Sequence, residues 1–397
     1  MGKFSNRLLG MEESATIAMA QRSRELKNEG LDIISLSLGE PDFHTPDFIK
    51  EAAIEAMEQN YTYYTPVSGY DDLREVISEK FKRDNNLNYS KDQIVVSTGA
   101  KQSVANLMLC LINPGDEVLI PTPYWVTYIE IVKLAGGVPV FIESNIEKDF
   151  KVSGADVESK ITRKTKAIIF STPCNPTGSV YSKEELKDIA QVLTKYKNIT
   201  IISDEIYEHI NFIGKHESIA QFEEVYDQTV TVNGMSKAWA MTGWRIGYIG
   251  APKEIADACI KMQGQFTSGT NSIAQRASIS ALKMDPSYLN EMIDAYKHRR
   301  ELVLEGLKVI KGLKINEPEG AFYFFPDVSN FFGKSYQGKI INNASELCMF
   351  ILEEGKVAVV TGDAFGAPNC IRIAYATDED SLKEAMLRIK VTLEKLN

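Results

Sequence analysis

Cysteine is scarce in this 397-residue chain, which holds five cysteines and no Cys-x-x-Cys pair or close cluster among them. Structural zinc sites and disulfide frameworks need cysteines at short, regular spacings. The sequence therefore predicts neither, and we expect no metal site. Chains with few and widely separated cysteines are typical of a reducing compartment, so we expect a cytoplasmic protein.

Long hydrophobic runs are also missing. The N-terminal stretch reaches the pair Glu12-Glu13 before any apolar run that could form the core of a signal peptide, so we expect no secretory leader. No uncharged apolar stretch of about 20 residues follows, which disfavours a membrane span. The formal net charge of -10 disfavours binding to nucleic acid or anionic lipid through general electrostatics.

From Thr45 to about residue 250 the chain alternates regularly between helix and strand patterns. Its short apolar runs are continuous, as is typical of strands that are buried on both faces. This alternation predicts an α/β fold in which helices cover a mostly parallel central sheet. The expected strands cover residues 93–98, 117–120, 166–170, 199–203 and 229–232.

After about residue 285 the pattern changes to a long charged helix, expected over 287–310, and to strands over 320–326 and 370–376. We interpret this part as a smaller α+β domain. A chain of this length exceeds what one hydrophobic core usually serves, which also favours two domains. Periodicity alone leaves open which domain the first 40 or so residues join.

The segment TVNGMSKAWAMTGWRIGY, residues 231–248, places Lys237 just past an expected strand and Arg245 eight residues later. Enzymes built on parallel sheets place their sites at such carboxyl ends of strands. A lysine attacks an aldehyde only when it is neutral, and partial burial beside another cation lowers its pKa. Taken alone, however, the two residues could equally be solvated loop cations.

Asp204 ends the apolar run ITIIS, and Tyr207 follows three positions later. A buried aspartate there could hold the proton of a pyridine nitrogen, and the tyrosine could donate to the ring's phenolic oxygen. The same run also resembles the magnesium-binding strand of nucleotide hydrolases, which need a GxxxxGK[ST] loop elsewhere. That alternative fails because Val328 stands where the nearest candidate loop, at Gly333, needs its first glycine. A dinucleotide fold is equally unsupported, since no GxGxxG follows the first strand.

Three further segments could contact a ligand. The first expected strand passes through Gly99 into a helix that begins near Lys101, and a helix N-terminus can bind a phosphate, although such turns are common. Asn175 lies in a turn-rich stretch, where its amide serves either the turn or a ligand oxygen. Arg372 lies inside a strand pattern and either faces solvent or binds a carboxylate with its planar guanidinium.

In this order, and together with SLSLGEPDFHTP at 35–46, these elements resemble the class I aminotransferases of pyridoxal-phosphate fold type I. The similarity points to the bacterial aspartate aminotransferase branch, subgroup Ib or Iγ, and runs from about Ala15 to the C-terminus. The joint occurrence of NPTG, SDEIYEH and SKAWAMTGWRIGY is highly specific. The resemblance implies a large cofactor-binding domain over 46–284 and a small domain over 285–397, which the N-terminal segment 1–45 joins.

The resemblance also implies pyridoxal 5'-phosphate as the cofactor. Lys237 would bond to it and act as the catalytic acid and base, with Asp204 at the ring nitrogen and Tyr207 at the phenolic oxygen. Trp125 would stack on the ring. The implied cofactor-binding set is Gly99, Ala100, Lys101, Trp125, Asn175, Asp204, Tyr207, Ser236, Lys237, Arg245 and, across the interface of a homodimer with shared active sites, Tyr64. Many family members have a hydroxyl residue where this chain has Ala100, so one contact to the phosphate is expected to be missing.

The implied substrates are small amino acids and 2-oxo acids. The substrate-binding set is Gly39, Trp125, Asn175 and Arg372 around the α-carboxylate, and Lys101 at a distal carboxylate. Lys101 favours ping-pong transfer from L-aspartate to 2-oxoglutarate, with aromatic amino acids or prephenate as the alternative; Lys101 could also be an exposed lysine that starts a helix.

Other reaction types share this fold: α-oxoamine synthases, carbon–sulfur lyases and decarboxylases. A cofactor-binding transcriptional regulator is disfavoured, because the similarity begins near residue 15 and leaves no room for a DNA-binding domain.

Overall fold

A computed structural model describes residues 4–397 of the chain. Its helices are α1 Asn6–Leu9, α2 Ala15–Asn28, α3 Asp47–Glu58, α4 Asp71–Lys80, α5 Ala100–Leu111, α6 Thr127–Leu134, α7 Gly154–Glu158, α8 Lys183–Leu193, α9 Glu223–Tyr226, α10 Lys253–Phe266, α11 Ser272–Lys283, α12 Asn290–Lys308, α13 Ala344–Gly355 and α14 Glu379–Leu393. Its strands are β1 Ile34–Ser35, β2 Ile94–Ser97, β3 Glu117–Pro121, β4 Val138–Ile142, β5 Thr165–Ser171, β6 Thr200–Asp204, β7 Thr229–Gly234, β8 Gly247–Gly250, β9 Tyr323–Phe324, β10 Ser335–Tyr336, β11 Lys339–Ile340, β12 Val357–Ala358, β13 Val360–Thr361 and β14 Ile371–Ala374. Of the described helices, none is both long and apolar enough to cross a membrane.

A seven-stranded sheet forms the centre of the larger part, with the strand order β2-β8-β7-β6-β5-β3-β4. Strand β8 runs antiparallel to β2 and β7, whereas the other neighbouring pairs are parallel. The predicted α/β class with a mostly parallel sheet is therefore confirmed. All five strands expected in this region are present, as β2, β3, β5, β6 and β7.

Helices cover both faces of this sheet because successive side chains of a strand point to opposite sides. Along β3, Val118 and Ile120 pack with α5 and α6, whereas Leu119 packs with α8 on the other side. Strand β5 alternates in the same way, with Ile169 on the first face and Ile168 on the second. Continuous burial of these strands explains their unbroken apolar sequence.

Two strands of this sheet, β4 and β8, were not predicted from the sequence. Strand β4 lies at the sheet edge and contains Pro139, which weakens a strand pattern. Strand β8 begins with Gly247 and ends with Gly250, residues that rarely indicate a strand. Both glycines are needed for close packing, since a Cβ on Gly247 would lie 2.1 Å from the backbone nitrogen of Ala100.

The smaller part holds the antiparallel sheet β13-β14-β9 and helices α12, α13 and α14. The N-terminal segment is hydrogen-bonded to it, because β1 pairs in parallel with β12. The backbone nitrogen of Leu36 donates to the carbonyl of Ala358 at 2.8 Å, and that of Ala374 donates to the carbonyl of Leu36 at 2.9 Å. These bonds bring residues 38–40 to the cavity described next.

Candidate active site

A cavity of about 310 Å³ opens where the carboxyl ends of β5, β6 and β7 meet the smaller part of the molecule. Parallel strands bring their carboxyl ends to one edge of a sheet, so residues distant in the sequence meet there. Eleven of the residues singled out from the sequence line this cavity: Gly39, Ala100, Lys101, Trp125, Asn175, Asp204, Tyr207, Ser236, Lys237, Arg245 and Arg372.

Lys237 stands three residues beyond β7 and reaches into the cavity. Its Nζ donates to the carbonyl of Gly39 at 2.6 Å and lies 5.6 Å from the centre of the Tyr207 ring. Burial, and next the positive charge of Arg372, lower the pKa of Lys237 to about 8. A substantial fraction of this amine is therefore neutral near physiological pH, as a nucleophilic lysine requires.

Asp204, the last residue of β6, is buried at the floor of the cavity. Burial raises the pKa of its carboxyl to about 6. The hydroxyl of Tyr128 donates to Oδ2 at 2.7 Å, and this hydrogen bond partly offsets the effect of burial on the pKa. The backbone nitrogen of Ile206 donates to Oδ1 at 3.3 Å. A carboxylate in this position stabilises, and is stabilised by, a cationic ligand group.

Tyr207 and Tyr323 share a hydrogen bond of 2.7 Å between their hydroxyl oxygens. Burial raises the pKa of Tyr207 well above its usual value, so this hydroxyl keeps its proton and can donate it to a ligand oxygen. Tyr323, which lies in β9, was not predicted as a site residue. The strand pattern around it was found, but four aromatic residues stand there and the pattern did not indicate which one faces the cavity.

Arg372 is 2 % exposed and does not face solvent. Its Nη1 donates to Oδ1 of Asn175 at 2.9 Å and its Nη2 donates to the carbonyl of Ser37 at 2.6 Å. The rings of Tyr323 and Phe365 lie 4.7 and 4.8 Å from the guanidinium carbon. Its Nε has no hydrogen-bond partner among the described residues. A buried cation held only by neutral groups favours an anionic ligand.

An anion-binding cradle lies at the start of α5. Gly99 has a φ of +82°, and a Cβ at this position would lie 2.2 Å from Nη2 of Arg245, so only glycine allows the guanidinium so close. Arg245 itself has a φ of 57° and donates through Nη1 to the carbonyl of Thr242 at 2.8 Å. The helix opens with Ala100 and Lys101, which line the cavity, and the N–H groups that open a helix have no carbonyl partner inside it.

Lys101 and Trp125 lie together on one wall of the cavity, with Nζ of Lys101 5.1 Å from the centre of the indole ring. Lys101 is the second residue of α5 and its side chain is exposed in part; partial desolvation of its ammonium, and then the charge of Arg245, lower its pKa. Tyr64 lies elsewhere. Its side chain is 99 % exposed and does not line the cavity, so its expected role across a subunit interface stays a prediction.

The cavity is also lined by residues that were not singled out from the sequence. Ser14, Thr16 and Ile17, at the start of α2, line its mouth. Glu40 hydrogen-bonds to Thr242 and thereby ties the N-terminal segment to the loop that carries Lys237. Short polar stretches of this kind carry no pattern that a single sequence reveals.

Glu205, Glu208 and His216 are the only described acidic, histidine or cysteine side chains that come close enough together to share a metal ion. All three are buried and already have partners. The ammonium of Lys80 contacts Glu208, and the hydroxyl of Ser218 donates to Glu205 at 2.6 Å. We therefore interpret this group as a buried ion-pair network.

The chain is similar in sequence and in structure to proteins that are already known. The family model "Aminotransferase class I and II" matches residues 31–389. A probable aspartate/prephenate aminotransferase of Rickettsia bellii is 46 % identical over 98 % of this chain and 98 % of its own length. An aspartate aminotransferase of Bacillus sp. strain YM-2 is 45 % identical, over 97 % and 98 % of the two chains. The crystal structure of an aspartate aminotransferase from Rhizobium meliloti superposes with a TM-score of 0.97 at 40 % identity and covers both chains completely.

Proposed function

Because this chain belongs to the class I and II aminotransferases, we propose that it transfers the amino group of L-aspartate to 2-oxoglutarate and gives oxaloacetate and L-glutamate. The chain is an enzyme, and the substrates of aminotransferases are small amino and 2-oxo acids. The observation that carries the choice of aspartate is a pair of cations, Arg372 and Lys101, which line the same cavity. Two cations in one cavity suit a substrate with two carboxylates.

We further propose pyridoxal 5'-phosphate as the cofactor, and three features of the cavity fit it. The buried carboxylate of Asp204 suits a protonated ring nitrogen. The guanidinium of Arg245, which lies over Gly99 beside the N–H groups that open α5, suits a phosphate. The depressed pKa of Lys237 suits bonding to an aldehyde. When bound, the cofactor supplies a conjugated ring that takes up the charge left by removal of the α-proton.

We assign a separate role in the reaction to each of the residues around the cavity. Lys237 would bind the cofactor's aldehyde group and move the proton at the substrate's α-carbon. Asp204 would hold the proton at the ring nitrogen, and Tyr207 and Asn175 would donate to the phenolic oxygen. Arg372 would hold the α-carboxylate, together with Asn175 and the backbone at Gly39. Ser236, Arg245, Gly99 and Ala100 would hold the phosphate, and Ala100 offers only its backbone there. Trp125 would stack on the ring.

The substrate assignment is tested with purified holoenzyme and a panel of amino donors. With L-aspartate and 2-oxoglutarate as variable substrates, we expect the parallel double-reciprocal lines of a ping-pong reaction, because one cavity serves both partners in turn. For Lys101→Ala we expect kcat/KM for aspartate to fall by about 10- to 100-fold while that for phenylalanine changes little, because only a dicarboxylate uses this ammonium.

Lys160→Ala is the matched control, since Lys160 is exposed and lies outside the cavity. If aspartate turnover survives Lys101→Ala while phenylalanine or prephenate is the better donor of the wild type, the dicarboxylate assignment is wrong. Prephenate belongs in the panel because the name of the Rickettsia bellii relative includes it.

We also propose a cytoplasmic homodimer with shared sites and the two-domain division 46–284 and 285–397, with 1–45 joined to the smaller domain. The five cysteines are free thiols, which fits a reducing compartment. The pairing of β1 with β12 supports the assignment of the N-terminal segment. Tyrosine is enriched at protein interfaces, so the exposed position of Tyr64 supports a subunit interface there.

The dimer is tested by light scattering and by cofactor titration. We expect light scattering to show a dimer. We expect Tyr64→Ala to remain a dimer and to bind the cofactor about tenfold more weakly, because it loses a hydrogen bond to the charged phosphate in the neighbouring subunit. Tyr63→Ala is the control, since Tyr63 is 80 % exposed and adjacent. A fully active monomer would refute shared sites.

A further inference from the structure

Tyr128 lies in the first turn of α6 and is 1 % exposed. Its hydroxyl donates the shorter of the two hydrogen bonds that the Asp204 carboxylate accepts, 2.7 Å against 3.3 Å from the backbone nitrogen of Ile206. Hydrogen bonds to an ionised carboxylate are stronger than those between neutral groups. This tyrosine is therefore the principal donor to the residue that we place at the ring nitrogen.

The ring of Tyr128 has a separate contact. It meets the indole of Trp125 edge to face, with ring centres 5.4 Å apart and an interplanar angle of 89°. Tyr128 stands three positions after Trp125, so both project from about the same side of the chain as it enters α6. Phenylalanine at position 128 would keep the ring contact and remove only the hydroxyl, which makes the two contributions separable.

We propose that Tyr128 is a positioning residue whose hydroxyl keeps the Asp204 carboxylate ionised and oriented toward the cofactor's ring nitrogen. The inference rests on the proposed cofactor. It goes beyond the proposed function because no motif or comparison assigned a role to this residue.

The groups that face Asp204 show why a donor is needed there. Burial and the neighbouring charge of Glu205 raise its pKa, whereas Tyr128, the backbone nitrogen of Ile206 and the charge of Lys237 lower it. The negative charge of Asp204 also acts on the nearby Tyr207 and contributes to the raised pKa of that tyrosine. Burial raises the pKa of Tyr128 well above its usual value, so its hydroxyl keeps its proton and can donate it to Asp204. Without it, the pKa of this carboxyl would rise further, and a neutral carboxyl cannot stabilise a protonated ring nitrogen.

The test compares Tyr128→Phe with Tyr124→Phe, a substitution of the same kind in the preceding loop at a residue that does not line the cavity. In cofactor-free protein labelled with 13C at the aspartate carboxyl, the Asp204 signal is assigned by its loss in Asp204→Asn. We expect Tyr128→Phe to raise the pKa of this carboxyl relative to the wild type. We also expect it to weaken pyridoxal 5'-phosphate binding by about 10- to 100-fold. Tyr124→Phe should leave both quantities unchanged.

A double-mutant cycle separates positioning from general damage. If Tyr128 acts through Asp204, adding Tyr128→Phe to Asp204→Asn should change cofactor affinity less than twofold. Equal effects in both backgrounds would overturn the proposal, and so would an unchanged Asp204 titration in Tyr128→Phe. Wild-type protein that fails to bind the cofactor would instead refute the proposed function, while the carboxyl titration would still report on Tyr128.

Discussion

Lys237→Ala is expected to lower the turnover rate by about 10⁴-fold or more, because one residue supplies both the covalent contact to the cofactor and the base for the α-proton. The other lysine that lines the cavity, Lys101, lies against Trp125 and not beside the carbonyl of Gly39, where the amine of Lys237 sits. The purified variant should also lack the cofactor's bond to the protein, seen as a shift of its visible absorbance band. Steady-state kinetics and absorption spectra check both outcomes.

Lys237→Arg is the informative companion to this variant. It keeps a positive charge in the cavity but cannot become neutral, because the guanidinium does not lose its proton in proteins. We expect it to be as inactive as Lys237→Ala. Substantial activity in Lys237→Arg would mean that the residue acts through its charge alone, and the proposed role would be wrong.

The pKa of about 8 for Lys237 adds a pH dependence to the same prediction. The neutral amine reacts, so capture of the cofactor by cofactor-free protein should accelerate as the pH rises and level off above about 8. An ordinary lysine, with a pKa of about 10.4, would keep accelerating beyond pH 9. Stopped-flow mixing at a series of pH values separates the two cases.

Lys237 and Asp204 could be predicted because the sequence marks strand ends clearly. Each follows a continuous apolar run, and the carboxyl ends of neighbouring parallel strands must meet. Strands β6 and β7 are such neighbours, with Asp204 opposite Val232 in the register. The family resemblance supplied the roles, but the meeting of these residues follows from the topology alone.

Tyr128 and Tyr323 could not be predicted, because their contacts depend on packing between distant elements. The partner of Tyr323 is Tyr207, which lies 116 positions away in the chain. Tyr128 faces Asp204 across 76 positions, and only the angle of α6 against the sheet decides that its hydroxyl points there. Periodicity indicates which face of a helix is buried, but not which polar atom a buried tyrosine will meet.

Arg372→Lys is expected to lower kcat/KM for L-aspartate by about 10²- to 10³-fold, equivalent to about 3 to 4 kcal/mol of lost transition-state stabilisation. The guanidinium contacts Asn175 and the carbonyl of Ser37 through different nitrogens, and a lysine has one compact head that cannot reproduce this fork. The substitution therefore leaves buried polar groups unpaired as well as weakening the grip on the α-carboxylate. The cofactor should stay bound, because the phosphate contacts and the bond to Lys237 lie on other residues.

The control for this substitution is Arg388→Lys, which changes an arginine that pairs with Asp32 and Glu384 on the surface. Exposed pairs contribute about 0 to 1 kcal/mol, so its activity should stay within twofold of the wild type. Because one clamp serves both half-reactions, Arg372→Lys should raise KM for aspartate and for 2-oxoglutarate together. A rise for only one of them would mean that the two carboxylates are bound by different residues, and Arg372 would then lose its place as the common clamp.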